Sequence, residues 1–295
     1  MEKIAGKTIS APPTVAAIHD LSCFGRCALT VVMPALSAMG AQVVPIPTAL
    51  LSTHTGGFEN MYFKDLTESM PPIADHLESL DLKFDAIYTG FLGSAAQIDI
   101  VSDFIKRFSR ENTVVLVDPV MGDDGKLYST YTRDMQSRMY ELCSLADVIT
   151  PNLTEACFLS GEEYTDTSAL CEKEAYDYAA RLAEKLRGLG CAKTVITGIA
   201  HDGDMLGTYG TVGESGKVYT HSVPRVKRSY PGTGDLFASV FLGAILLGKE
   251  FDSALAFASD YTRTVMEYSS HIDSPVRNGV ALEKFIFELS QYSRG

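Results

Sequence analysis

The sequence predicts an α/β fold: a mostly parallel sheet covered by helices on both faces. Three observations predict it. Short β-branched runs are apolar nearly throughout, as strands buried on both faces are. Amphipathic stretches of helical period alternate with them. No linker, internal repeat or low-complexity tract divides the chain, so one domain is expected over 1–295, with 1–13 as a loosely ordered N-terminal extension.

Taken in order, Thr14–His19 reads as the first strand. Gly25–Met39 reads as a helix that Pro34 would kink. Gln42–Leu50 and Phe84–Thr89 are the next strands, followed by a helix over Ser94–Arg110. Thr113–Asp118 and Asp147–Thr150 are strands on either side of a helix at Arg133–Leu145. Glu174–Leu189 is the clearest helix. Ala175, Tyr178, Ala179, Leu182, Leu186 and Leu189 form one stripe, Glu184, Lys185 and Arg187 lie largely off it, and Gly190 is its stop. Lys193–Thr197 is a strand. Met205–Thr211 and Lys217–Val223, joined by Val212–Gly216, form an antiparallel edge hairpin. Apolar helices follow at Thr233–Leu247 and Phe251–Tyr268, then a C-terminal helix near Ala281–Tyr292.

Composition excludes several functions. Lysine and arginine number 25 against 37 acidic residues, a net charge of −12, so the basic face that nucleic acid or an anionic membrane requires is not expected. The longest apolar run, Leu236–Leu247, has 12 residues, too few to span a bilayer. The start of the chain has no signal-peptide core, and six cysteines without a CxxC suit a reduced, cytoplasmic setting. Cys23 and Cys27 read as buried small hydrophobes, one turn apart if helical.

Ligands of open α/β sheets bind beyond the carboxyl ends of the strands, which selects the segments to inspect. P-loop, GxGxxG, HExxH and GxSxG motifs are all absent. Pro231-Gly232-Thr233-Gly234-Asp235 opens an apolar helix with two glycines, which frees backbone N–H groups to cradle a phosphoryl group. Asp235 could there take a proton from a hydroxyl; the plainer alternative is a capped helix with Thr233 as N-cap. Asp118, at a strand end in Asp118-Pro119-Val120-Met121-Gly122, suits Mg²⁺, while Asp123 and Asp124 read as an Asp–Gly turn. Asn152 and Glu155 have the spacing of a capping box and could also hold metal-bound water. Ser52–Phe58, with His54 and two glycines, reads as a mobile flap or a plain surface loop. His19 reads as a satisfied buried imidazole.

Together with Gly90-Phe91-Leu92-Gly93-Ser94-Ala95, these segments resemble the ribokinase superfamily and, within it, the pyridoxal kinases, from about Thr14 to Tyr268. The resemblance implies a ribokinase-like three-layer sandwich, usually dimeric. It implies transfer of the ATP γ-phosphoryl group to the 5′-hydroxymethyl of vitamin B6, with Mg²⁺ and often a monovalent cation such as K⁺. By motif, Asp235 resembles the general base, and Gly232, Thr233 and Gly234 the anion hole. Asp118 and Glu155 resemble the metal shell; Thr150, Asn152, Thr197 and Tyr128 match the nucleotide site. Thr48, Ser52, His54 and Phe91 match the substrate pocket. Asp20 stands where the better-known pyridoxal kinases carry serine against the ring nitrogen. Hydroxymethylpyrimidine kinases, whose first loop is richer in glycine, are the alternative. A metabolite-binding module and a Rossmann-type oxidoreductase are further ones, the latter opposed by the missing glycine fingerprint.

Overall fold

A computed structural model describes residues 3–4, 7–8, 11–213 and 216–293. Six of the thirteen residues of the expected N-terminal extension and the middle of the Val212–Gly216 turn therefore lie outside the described residues. The first half of the chain runs β1 (Lys3–Ile4), β2 (Lys7–Thr8), β3 (Thr14–Phe24), α1 (Leu29–Ala38), β4 (Gln42–Thr53), β5 (Phe63–Asp65), α2 (Met70–Ser79), β6 (Ala86–Thr89) and α3 (Ala96–Phe108). Next come β7 (Val114–Val117), β8 (Gly122–Asp123), β9 (Lys126–Leu127), α4 (Arg133–Cys143), β10 (Val148–Ile149), α5 (Leu153–Ser160) and α6 (Glu172–Gly188). The remainder is β11 (Lys193–His201), β12 (Met205–Val212), β13 (Lys217–Pro224), α7 (Thr233–Leu246), α8 (Phe251–His271) and α9 (Ile286–Tyr292).

Nine strands form the main sheet in the order β13-β12-β11-β10-β7-β6-β3-β4-β5. From β11 to β4 every pairing is parallel; β12, β13 and β5 join antiparallel at the two edges. The two-residue period of the strands sorts side chains between two cores. Ala16, Ile18, Ile87, Val117 and Ile149 face α2 to α6, and Val15, Ala17, Tyr88, Leu116 and Val148 face α1, α7, α8 and α9. Phe108 in one core and Phe241 in the other are fully buried, each contributing about 1.5–3 kcal/mol of hydrophobic stabilisation. The result is the expected three-layer arrangement. No helix among the described residues is long and apolar enough to cross a membrane.

Several elements differ from expectation. β3 and β4 each run past their apolar cores, to Phe24 and Thr53, so Cys23 lies on a strand and is exposed, and Cys27 is only half-buried. Neither is a buried small hydrophobe, and they do not share a helix. α1 begins at Leu29, because Gly25–Ala28 forms an irregular turn with Gly25 at φ +94° and Ala28 at φ +50°. Ser52 and Thr53 belong to β4 and are held as a strand; Ser52 binds Tyr62 through its amide and its hydroxyl, so no flap begins there. Asp124 and Gly125 make the expected tight turn, between β8 and β9.

Candidate active site

The carboxyl ends of β3, β6, β7 and β10 and the start of α7 converge on one region. Gly232 is the true N-cap of α7, one residue before Thr233, and its φ of +83° is left-handed. A Cβ at Gly232 would meet the Arg26 carbonyl at 2.3 Å, so only glycine fits. Thr233 turns its hydroxyl back to the Tyr230 carbonyl at 2.7 Å. Gly234 and Asp235 follow in the first turn, whose N–H groups point out of the helix end. A Cβ built on Gly234 would lie 3.9 Å from Asp118 Oδ2, which sets this turn against the end of β7.

Asp235 is largely buried, with its side chain 11% exposed. Its Oδ2 accepts the Ala28 N–H at 2.8 Å and faces the Cys27 thiol at 3.6 Å. Ala28 reaches it only by adopting a positive φ, a conformation that costs a non-glycine residue of order 1–3 kcal/mol. Oδ1 makes no such bond; the nearest imidazole nitrogen, His19 Nδ1, is 3.9 Å away. Burial raises the Asp235 pKa, opposed by the Ala28 amide, the Cys27 thiol and His54.

Asp20 occupies a bulge in β3, where the register with β4 shifts between His19 and Leu21. It is 5% exposed and accepts the Ser22 hydroxyl at 3.0 Å. Burial first and the charge of Asp235 second raise its pKa to about 7. Its surroundings therefore favour the neutral carboxyl far more than water does. Asp118 is raised by burial, then by the negative charges of Glu155 and Asp235, with the Thr150 hydroxyl opposing. Glu155 is raised to about 8 by burial, opposed by the backbone N–H groups of Asn152, Met121 and Gly122.

Asn152 and Glu155 complete the capping box of α5. Glu155 Oε2 accepts the Asn152 N–H at 2.8 Å and Oε1 the Met121 N–H at 3.0 Å, while Asn152 Nδ2 donates to the Gly122 carbonyl at 2.8 Å. Both side chains thus tie α5 to the loop after Asp118. Asp118 and Glu155 suit Mg²⁺ chemically: two buried oxygen donors, with the charge of Glu155 helping to push Asp118 toward protonation. Among the described residues no three His, Cys, Asp or Glu side chains are grouped to hold a metal, in keeping with an ion that takes one or two carboxylates and keeps its waters.

The remaining candidates fall in two groups. Thr48 is fully buried and donates to the Phe91 carbonyl at 2.9 Å, so these two are together. Gln97, which carries no sequence signal, joins them: its amide donates to the Thr48 carbonyl and accepts the Gly93 N–H. Thr150 directly follows β10, and Asn152 bridges to Thr197, where β11 bulges through Gly198 at φ +74°. Tyr128 is 38% exposed, with its amide on the Met121 carbonyl, and lies within the field of Glu155 and Asp118. Ser52 spends its groups on Tyr62 and does not reach this cluster through any hydrogen bond. His54 is buried; Nδ1 accepts the Gly56 N–H and Nε2 donates to the Arg277 carbonyl at 2.7 Å. The segment 54–58 is therefore fastened to 276–279, with Arg277 stacked 5.2 Å from the Phe58 ring.

His19 is buried as expected but not satisfied. Neither ring nitrogen has a hydrogen-bond partner.

A glycine-flanked helix start set against strand-end carboxylates, on a mostly parallel sheet, is the arrangement of a ribokinase-type phosphotransferase with an alcohol group as acceptor. Known proteins agree. The family model for phosphomethylpyrimidine kinase matches residues 33–278, and the chain belongs to that family. The Arabidopsis thaliana pyridoxal kinase is 30% identical over 222 residues, 70% of this chain and 66% of that protein. A Bacteroides thetaiotaomicron structure, provisionally described as a phosphomethylpyrimidine kinase and crystallised with pyridoxal, is 39% identical with a TM-score of 0.86, covering 94% of this chain and 96% of that one. Pyridoxal kinase from Lactobacillus plantarum is 30% identical with a TM-score of 0.85, covering 97% and 99%.

Proposed function

We propose that the chain transfers the γ-phosphoryl group of ATP to the 5′-hydroxymethyl of a B6 vitamer. The observation that carries this reading is the asymmetric fastening of Asp235: Oδ2 is held by Ala28, and Oδ1 is left for a substrate hydroxyl at the N-terminus of α7. In the step, Oδ1 accepts the hydroxyl proton as the O–H bond breaks. The freed oxygen electron pair forms the bond to the γ-phosphorus, and the bond from that phosphorus to the bridging oxygen of ADP breaks. Gly232 gives the backbone its turn, and the N–H groups of Thr233 and Gly234, with the helix dipole, offset charge on the equatorial oxygens. Asp118, with Glu155 behind it, would hold Mg²⁺, which when bound neutralises phosphate charge.

Thr150, Asn152, Thr197 and Tyr128 would line the nucleotide. A cavity of about 460 Å³ between the segment 224–228 and α8 is lined by Arg225, Lys227 and Arg228 and by Arg263, which pairs with Glu267; its net positive charge would suit a polyphosphate. On the acceptor side, Thr48 and Phe91 would contact the ring and Asp20 its nitrogen, with Ser52 and His54 at the pocket's outer wall. Asp20 favours a pyridine over a pyrimidine. A single proton shared between it and the ring nitrogen is held more firmly by the more basic ring. The pyridoxal-bound Bacteroides relative supports the same choice. We further take the working unit to be a cytoplasmic homodimer, checked by sedimentation and by fractionation of the source cells.

An ADP-release screen over pyridoxal, pyridoxine, pyridoxamine and hydroxymethylpyrimidine tests the reading. Turnover on the B6 vitamers is expected. Turnover on the pyrimidine alone would replace the acceptor, and none on any of them would leave a binding module.

A further inference from the structure

His19 lies on β3 directly behind the proposed base. Its side chain has no exposure to solvent. Both ring nitrogens lack a hydrogen-bond partner, although the Tyr88 carbonyl lies close enough to favour a protonated ring slightly. Buried imidazoles without partners lose stability relative to an apolar side chain of similar size, so this one needs another reason to be where it is. The surroundings hold the ring in place. Tyr88 packs edge-on at a ring separation of 4.3 Å. Gly90 gives it room, since a Cβ there would fall 2.3 Å from Nδ1. The ring is neutral, because burial lowers its pKa to about 3. A neutral imidazole with its hydrogen on Nδ1 would bring an N–H dipole to within 3.9 Å of Asp235 Oδ1.

We infer that His19 is a positioning residue for phosphoryl transfer, its Nδ1–H orienting and electrostatically holding the oxygen of Asp235 that takes the substrate proton. The inference rests on Asp235 being the base. It accounts for two features at once. Oδ2 is fixed by Ala28 and Cys27, and Oδ1, which must stay free for the hydroxyl, is steered from behind at a distance too long to occupy it. The other groups facing Asp235 do not duplicate the role. His54 spends both nitrogens on backbone, and Asp20 and Asp118 repel the carboxylate. The Tyr88 hydroxyl is buried and makes no hydrogen bond.

The experiment is steady-state kinetics and thermal unfolding of His19→Leu, His19→Asn and His19→Gln beside Asp235→Asn. Asparagine can set an amide N–H near the place of Nδ1; glutamine sets it near Nε2. His19→Leu is expected to lower kcat roughly 10–100-fold with KM for both substrates unchanged, the scale of a misplaced reacting group, while Tm holds or rises. His19→Asn should recover most of kcat and His19→Gln should not. A Leu variant within twofold of the parent in kcat, or equal kcat in the Asn and Gln variants, overturns the inference. If the Leu variant does not fold, the Asn and Gln pair decides. Should Asp235→Asn itself stay within threefold of the parent, the base assignment fails, and this inference with it. A severe Asp235→Asn loss beside an unaffected Leu variant refutes His19 alone.

Discussion

Two sets of carboxylates in this chain respond to folding in opposite directions. On the outer surface of α3 and α4, Arg138 pairs with Asp99 at 2.7 Å and with Glu141 at 2.9 Å, and these pairings hold both carboxyl groups below their ordinary range. At the carboxyl edge of the sheet, Asp20, Asp118, Glu155 and Asp235 are all raised, with burial the largest cause in each. Among the described residues no lysine or arginine forms an ion pair with any of these four. The surface set is complete in the free protein. The interior set is buried without a basic partner, an arrangement that raises each pKa and costs stability. That contrast separates acidic residues completed by a neighbouring arginine from acidic residues that burial leaves without a basic partner.

The strongest way to break the contrast is to neutralise one interior carboxylate. Asp235→Asn keeps the shape and loses the proton acceptor; kcat should fall by about 10²–10⁴-fold while nucleotide affinity is kept, as measured by initial rates and calorimetry. A kcat within threefold of the parent would reduce Asp235 to a helix-capping charge. Asp20 comes next. Asp20→Asn should leave KM for ATP alone and raise KM for pyridoxal at least about tenfold, the worth of a charged hydrogen-bond partner. Asp20→Ser, which keeps a hydroxyl able to meet the ring nitrogen, should keep more activity than Asp20→Ala. Equal KM values across the three variants would remove Asp20 from the pocket.

The interior set also shows what a sequence makes visible. Asp235 stands out because two glycines flank it and an apolar helix follows. Asn152 and Glu155 stand out through their spacing. Each signal is local and carried by side chains. What orients Asp235 is not: Ala28 acts through its backbone N–H, and His19 reaches it from residue 19 across the fold. The same limit applies to the elements. The buried parallel strands are legible because they are apolar, but β3 continues through Asp20 and Ser22, whose polarity masks a strand that is in fact buried there. α2 opens on Met70-Pro71-Pro72, a pattern that reads as a break although proline is well tolerated in a first turn. β5 is three exposed residues whose pairing with β4 depends on a distant partner. Ser52–Phe58 looks mobile from its glycines and is instead anchored by contacts with 276–279, about 220 residues further along.

Titration sharpens the comparison further. The Asp20 pKa is raised from 3.8 to about 7, so between those values the folded chain holds a proton that the unfolded chain has released. Stability from this group is full below pH 4 and is lost as pH rises toward 7, at most about 1.4 kcal/mol per pH unit. Asp20→Asn removes this group's share of the dependence and leaves that of Asp118, Glu155 and Asp235. Chemical denaturation of the ligand-free protein from pH 4 to 7 should therefore give a flatter stability curve for the variant, which overtakes the parent near neutrality. Parallel curves would show that Asp20 is better solvated than its burial indicates.

The smallest effect is expected at the surface, and it is the control on which the comparison depends. Arg138 already sits between Asp99 and Glu141 in solvent, where water screens its charge and side-chain ordering offsets much of the attraction. Its partners are the Asp99 and Glu141 carboxylates and the Ala95 carbonyl, none of them among the four raised groups. Arg138→Gln should leave kcat and both KM values within twofold of the parent. The slight loss of Tm expected at low ionic strength should vanish near 1 M salt, where the screening length falls to about 3 Å. Glu141 and Asp99, freed of the guanidinium, should return to ordinary carboxylate titration by NMR, upward in both cases. If Arg138→Gln instead changes kcat, or if its loss of Tm persists at high salt, the surface pairs are coupled to the interior. The four raised carboxylates would then have to be treated as one end of a network that crosses α4, and not as a set isolated by burial.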